Sequence, residues 1–348
     1  MLRDLPCGDL HVYLHVEVRR VMCPKFKIVR QENLPWVSGN LTKRFAHYLG
    51  WRCENATIKA VASEFNLDWK TVKEADKKYM RAKLAKAPET APVVIGIDEF
   101  SRRKGHAYNI VVTDLKQKRA IWFEGPDRSE QSLDRFYDSL GSEKCSRIKL
   151  AVMDMWKAFE NSTRKHAPQA AILYDKFHVL RHLGEALDSV RKSEYRRVSG
   201  KEQKFIKGQK YNLLSRWKNL NLNGRQALKE LLRANRRLNT AYVLKESFSQ
   251  LWDYSSAAWA RKFFDHWRES LKWQRLKPFE EFSELIDRHW DGIVTYCKSE
   301  PKVALGFVEG LNNKIRVIQR RAYGLKDPEY FQLKVLTCML PPLNYKKP

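Results

Sequence analysis

The sequence has no apolar run near the ~20 residues that a membrane-spanning helix requires, which argues against a helical membrane span. Its first ten residues, MLRDLPCGDL, lack the basic start and apolar stretch of a signal peptide. Cysteines are few and unpaired in spacing: Cys7, Cys23, Cys53, Cys145, Cys297 and Cys338 are scattered, so neither a disulfide scaffold nor a complete zinc site is indicated, and reduced thiols are expected. No internal repeat or low-complexity tract is present. Acid is scarce relative to base, with 40 Asp and Glu against 66 Lys and Arg, a formal charge of +26. That imbalance destabilises a compact chain unless a polyanion lies against it, so nucleic acid is the leading partner and an anionic membrane surface the second. At 348 residues the chain has room for two or three domains, each with its own core.

Periodicity divides the chain. In HVYLHVEVRRVMC (11–23), Val12, Leu14, Val16 and Val18 alternate with His11, Tyr13, His15 and Glu17, which predicts a strand in a β segment over 1–38. His11 and His15 are four apart, a ligand spacing for helices, so on a strand they read as exposed residues. In NATIKAVASEFNLDWKTVKEADKKYM (55–80), Ile58, Val61, Ala62 and Phe65 fall on one helical face, Asn66-Leu67 makes a turn, and Asp68 caps a second helix carrying Val72, Ala75 and Tyr79. This predicts a helix-turn-helix within 39–87, whose second helix offers Lys70, Lys73, Lys77 and Lys78 to DNA. A plain αα-hairpin with a basic face fits the same pattern.

KAPETAP (86–92) reads as a linker. Beyond it the pattern predicts strands at 92–97, 107–113 and 119–124, a helix at about 129–140, a strand at 148–153, a helix at about 156–166 and a strand at 170–174. That order predicts an α/β mixed sheet of the ribonuclease-H-like kind over 88–183. From 184 to 300 the pattern is helical and basic, with 22 Lys and Arg against 10 Asp and Glu between 185 and 280. Its tryptophans are expected mostly in the core, with one free to stack on an unpaired base. In 301–348 a last helix puts Val308, Leu311, Ile315 and Ile318 on one face, and Glu309, Asn313, Arg316 and Arg320 on another.

Asp98 ends VVIGID and Asp154 ends IKLAVMD, so each apolar strand terminates in an acid. Brought together, two carboxylates repel unless a cation lies between them. Mg²⁺, held by one or two carboxylates and phosphate oxygens, suits that need. Glu309 stands on an otherwise basic helix, where a carboxylate facing DNA is favourable if it also holds metal. Two metals, with one activating the attacking oxygen and the other stabilising the leaving oxygen, would serve phosphoryl transfer. Each acid taken singly also fits a bland role as turn residue, helix cap or solvated side chain. Two rival functions fit the residues: a metal-independent helix-turn-helix DNA-binding protein, and a metal-dependent nuclease that never joins strands.

GIDEFSRRKGHAY, VMDMWKAF, Asp175-Lys176-Phe177-His178 with VLRHL, and VEGLNNKIRVIQRRAYGLKDPEYFQLKVL together resemble the ISL-three group of bacterial insertion-sequence transposases, of the DDE class. The likeness spans essentially the whole chain. It implies a DNA transposase that acts on element ends and target DNA, with a ribonuclease-H-like core interrupted by a helical insertion and at least a dimer at work. It implies Asp98, Asp154 and Glu309 as catalytic and Mg²⁺-binding residues, with Mn²⁺ able to substitute. Asp175 and His178 then fall in an Asp-x-x-His pattern, in which the aspartate would fix the tautomer of a histidine donating to a carboxylate or phosphate; a buried Asp-His pair ending a strand fits equally. Phosphate contacts are expected from Arg102, Arg103, Lys104, Asn313, Lys314, Arg316 and Arg320. The group's zinc-binding segment is expected to be absent, because Phe26 stands where CPKF would need its second cysteine. A cytoplasmic, nucleoid-associated place in the cell is expected, with no membrane partner.

Overall fold

A computed structural model describes residues 1–103, 107–298, 306–322 and 325–344, with the backbone alone for residues 102, 103, 107 and 298. Two compact units result, one of residues 1–90, 117–124 and 309–348, the other of residues 91–116 and 125–308.

In the first unit, β1 (Leu2–Arg3), β2 (Tyr13–Leu14), β5 (Val37–Ser38) and β6 (Leu41–Thr42) form a small sheet in the order β2-β1-β6-β5, while β3 (Arg20–Cys23) and β4 (Ile28–Gln31) pair as a separate hairpin. The single strand expected over 11–23 is thus two short pieces. Alternate burial persists from His11 to Val16 and then stops; the β2 pairing with β1 covers only Tyr13 and Leu14, and nothing buries Val18. Asp4, fully buried, accepts from Thr42 Oγ1 at 2.6 Å and pairs with Arg44, fixing this sheet to the start of α1 (Lys43–Arg52). Those partners hold its carboxyl low, at about 2, with the Arg44 bond leading.

The helix-turn-helix forms as its periodicity predicts. Thr57 caps α2 (Ile58–Glu64), Asn66 takes a positive φ of 48° in the turn, and Asp68 accepts from Lys70 N at 2.9 Å to cap α3 (Trp69–Ala85). Val61, Ala62, Phe65, Val72 and Ala75 close one core with Phe45 and Leu49 of α1. Gly50 permits it: a Cβ there would lie 2.2 Å from the Cβ of Tyr79, so only glycine lets α1 and α3 approach this closely. In the same unit, α16 (Pro328–Thr337) packs on α3 and on β9 (Arg119–Glu124), where Phe331 meets Phe123 edge-on at 5.0 Å. Helix α15 (Gly306–Arg321) buries Val308, Leu311 and Ile315 on the predicted face and leaves Ile318 partly exposed.

In the second unit, β7 (Val94–Arg103) pairs antiparallel with β8 (Ala107–Asp114) and parallel with β10 (Leu150–Met153), which pairs parallel with β11 (Ala171–Tyr174). The order is β11-β10-β7-β8. Helices α4 (Glu130–Leu140) and α5 (Ser142–Cys145) precede β10, and α6 (Lys157–His166) links β10 to β11. Central strand residues Ile95, Ile97, Ala151, Val152 and Leu173 are buried. Helix α7 (Lys176–Arg197) leaves the end of β11 and runs unbroken through residue 184 into a helical region of α8 (Gly200–Gly208), α9 (Lys210–Leu214), α10 (Leu222–Ala234), α11 (Arg236–Phe248), α12 (Ala257–Glu269), α13 (Lys277–Arg288) and α14 (Trp290–Lys298). There α11 and α13 pack on α7, and α14 packs on β11. Trp252 and Trp267 belong to the core of this region, whereas Trp259 and Trp273 are exposed. No described helix is long and apolar enough to cross a membrane.

Candidate active site

The parallel register brings two predicted acids side by side. Val152 pairs with Gly96, and two residues further along each strand stand Asp154 and Asp98. The next strand follows suit: Met153 pairs with Tyr174, so Asp175 ends β11 as Asp154 ends β10. Asp154 and Asp175 thus follow directly on the ends of their strands, whereas the expectation that Asp98 ends its own is corrected: β7 runs on to Arg103, because β8 continues to pair with it past Asp98, which lies opposite Val111. Backbone N–H groups steady two of these carboxylates, since Asp98 Oδ1 accepts from Glu99 N at 2.8 Å and Asp154 Oδ1 from Met155 N at 2.7 Å.

His178, in the first turn of α7, stands between the first two acids. Its Nδ1 lies 3.1 Å from Asp154 Oδ2 and its Nε2 4.0 Å from Asp98 Oδ1. The Nδ1 contact is an ion pair by distance, but the ring is not aligned for a straight hydrogen bond. Burial pushes the Asp98 carboxyl up to about 6, against the lowering charge of His178. Burial also works against the Asp154 charge, yet the contact and charge of the His178 ring outweigh it and hold that carboxyl below its ordinary range. For His178 burial favours the neutral ring, but Asp154, Asp98 and Asp175 together raise its pKa above the ordinary value. Asp175 Oδ1 also caps α7 by accepting from Phe177 N at 2.9 Å, while Asp154 and Asp98 lie against the two ring nitrogens of His178.

Gly96 adds a contact that the sequence did not disclose. A Cβ there would stand 2.6 Å from Thr113 Oγ1 and 2.8 Å from Val308 Cγ2, so Val308 lies against β7 two residues before Asp98. Glu309 is the next residue, exposed near the start of α15. Among the described residues, no three His, Cys, Asp or Glu side chains are already gathered as a metal-binding group. A second missed feature borders the sheet edge: Arg128 pairs with Glu99 at 3.2 Å and lies over the Trp156 ring at 4.2 Å.

Residues 95–335 match the family model of the ISL3 DDE domain, described as a transposase, and residues 32–80 match the helix-turn-helix domain of transposase family ISL3. The transposase for insertion sequence element IS1001 of Bordetella parapertussis is 36% identical over 339 residues, covering 96% of this chain and 83% of that protein. The transposase for IS1557 of Mycobacterium tuberculosis is 27% identical, over 94% of this chain and 78% of its own length.

The chain belongs to the ISL3 family of transposases.

The basic residues expected to meet DNA divide into two groups in this ISL3 chain. Lys70 is exposed at the start of α3. Lys73 and Lys77, by contrast, are engaged within the protein: Lys73 pairs with Asp327 at 2.7 Å, while Lys77, 8% exposed, reaches Asp327 at 3.0 Å and Glu329 at 2.8 Å. As free phosphate contacts these two are corrected, because acids at the start of α16 already neutralise them. The sequence did carry a signal, as Asp327-Pro328-Glu329 has the form of a helix cap with acid in the first turn, which attracts cations. Asn313, Lys314, Arg316 and Arg320 are exposed on α15; Lys314 donates to the Cys338 carbonyl at 2.5 Å and Arg316 to Asn313 Oδ1 at 3.0 Å. The side chains of Arg102 and Arg103, and all of Lys104, lie outside the described residues.

Proposed function

We propose that this ISL3 transposase binds the terminal inverted repeats of an insertion sequence through residues 39–87, and cleaves and joins DNA strands with Asp98, Asp154 and Glu309 on a ribonuclease-H-like core. The observation that carries the catalytic assignment is the parallel register of β7 with β10, which sets Asp98, within β7, and Asp154, just past β10, on either side of one imidazole. The core reading is supported by the antiparallel β7–β8 hairpin and by two parallel strands added on the other side of β7 through helices. The Val308 contact at Gly96 supports a place for Glu309 in the same chemistry, since one peptide bond joins them.

The donor set fits a hard divalent cation. Carboxylate oxygens on a rigid sheet edge are the ligands that Mg²⁺ takes alongside water and phosphate oxygens, and Mn²⁺ accepts the same set. Asp98 and Asp154 would hold it, with Glu309 as the further protein ligand. Such an ion supplies Lewis-acid polarisation of the scissile phosphate and neutralises charge in the transition state. The chain's own part is positioning. The sheet fixes the two aspartates, and His178 balances their charge and orients Asp154. Lys70, Asn313, Lys314, Arg316 and Arg320 align the phosphate backbone, with Arg102, Arg103 and Lys104 as further contacts. Joining needs two element ends together, so the working assembly is at least a dimer.

The test is strand cleavage and joining on end-containing duplex DNA with Mg²⁺, comparing the wild type with Asp98→Asn, Asp154→Asn and Glu309→Gln. Each variant should keep DNA affinity and lose both products. Full activity in Asp98→Asn would overturn the site; nicking without joining in the wild type would make the chain a nuclease; affinity without any nicked product would leave only a DNA-binding protein.

A further inference from the structure

The first unit contains a cleft of about 1420 Å³ bounded by the start of α2, one face of α3, the later part of α15 and α16. It exceeds the about 300–1,000 Å³ of small-ligand pockets, which points to an extended occupant. Its floor is apolar, formed by Ile58, Met80, Ile318, Leu325 and Tyr330. The three acids that line it are each neutralised from within: Asp76 by Lys334 at 2.7 Å, Glu54 by Lys83 at 2.5 Å, and Asp327 by Lys73 and Lys77. On the rim, Lys59, Arg320, Arg321 and Lys326 are exposed, and among the described residues none of them pairs with a carboxylate. Trp69, 49% exposed at the first turn of α3, stands on the same cleft.

A cationic rim around an apolar floor with an open indole does not suit a closed duplex, which presents phosphates outward and hides its base faces. It suits an unpaired strand, whose phosphates follow the rim while bases stack on the indole and cover the floor. We propose that this cleft is a binding site for unpaired DNA, taking nucleotides splayed from a cut element end. The proposal rests on the transposase reading above, because strand cleavage is what generates such nucleotides. It gives Trp69, Lys59, Arg321 and Lys326 a task separate from reading duplex sequence.

The experiment uses the full chain in metal-free buffer, with anisotropy of a labelled oligothymidylate of about 12 nucleotides, inside the 4–16 that such sites accommodate. Trp69→Ala should weaken this binding about tenfold, in the range of one lost base stack. Lys59→Ala with Lys326→Ala should make the salt slope shallower by roughly 1.4, at about 0.7 per phosphate contact on a single strand. These side chains are exposed, and circular dichroism checks that the variants fold. Unchanged oligothymidylate affinity in both variants, with duplex end binding intact, would overturn the cleft assignment alone. Displacement of the oligonucleotide by polyglutamate of equal charge with equal strength would also overturn it, since the bases would then contribute nothing. A wild type that binds neither form of DNA would overturn the transposase reading and this one together.

Discussion

His178 is the residue on which the sheet-edge carboxylates depend. Without a positive charge between them, Asp98 and Asp154 would face each other as like charges in a half-buried setting. The signs of the two main shifts set the pH window. His178 is raised above 6.5, so its contribution is complete below 6.5 and is lost as pH rises through the higher folded value. Asp154 is lowered below 3.8, so its contribution is present above 3.8 and is lost as pH falls through the lower folded value. Asp98 has the opposite sense, since burial raises it and its ionisation costs stability as pH climbs from 3.8 through about 6. His178→Ala should therefore cost about 1 to 3 kcal/mol, as expected when a buried charged group is left without its partner. The deficit should be full between about pH 4 and 6.5 and shrink at higher pH as the wild-type ring loses its proton. Urea unfolding at a series of pH values checks this; a deficit that grows steadily toward alkaline pH would rule the imidazolium out.

Helices α3 and α16 are tied by a group that is polar where a core would be apolar. Asp76 is fully buried, pairs with Lys334 at 2.7 Å and accepts from the Tyr330 hydroxyl, while Arg81 and Lys77 hold Glu329 at the rim. Removing one member of a buried pair strands the other, at about 3–5 kcal/mol, whereas replacing both with apolar residues of similar size is often neutral. Asp76→Ala should thus cost about 3–5 kcal/mol by urea unfolding, and Asp76→Leu combined with Lys334→Met should recover most of it. Equal loss in the single and double variants would show that shape, and not charge, joins these helices. This tie also marks the limit of what the sequence disclosed. The helix-turn-helix was legible because its signals are local: Thr57 and Asp68 cap, Asn66 turns, and Val61, Ala62, Phe65, Val72 and Ala75 repeat on helical faces. The strand that stops at Asp154 was legible as an apolar run ending in an acid, whereas the run before Asp98 disclosed a strand but not its continuation to Arg103, which depends on pairing with β8. The acidic start of α16 at Asp327 and Glu329 was legible as a helix start, but its pairing with Lys77 was not, because Glu329 lies 252 residues from Lys77 and periodicity carries no information across that distance. The same holds for Val308 on Gly96, and for β2, whose length depends on the short neighbour with which it pairs.

At the scale of the whole chain, charge governs behaviour. An excess of 66 cations over 40 anions means self-repulsion in every compact state, and the helical region between 185 and 280 carries 22 of those cations against 10 acids. Salt must then act in opposite directions on two measurements. Screening shortens to about 10 Å at 0.1 M, so repulsion within the free chain weakens and its melting temperature should rise with ionic strength. Duplex affinity should fall over the same range, because each phosphate contact contributes about −0.9 to the slope of log K against log salt. With 6–10 contacts the loss between 50 and 200 mM is about 10³–10⁵-fold. Asp98→Asn separates this field from the chemistry, since it removes a negative charge and so should leave duplex affinity equal or slightly stronger while abolishing cleavage. Thermal unfolding and anisotropy on the same protein across one salt series make the comparison. A melting temperature that falls with salt, or an affinity that ignores it, would mean that the cations are already neutralised within the fold and that the net charge has no part in holding DNA.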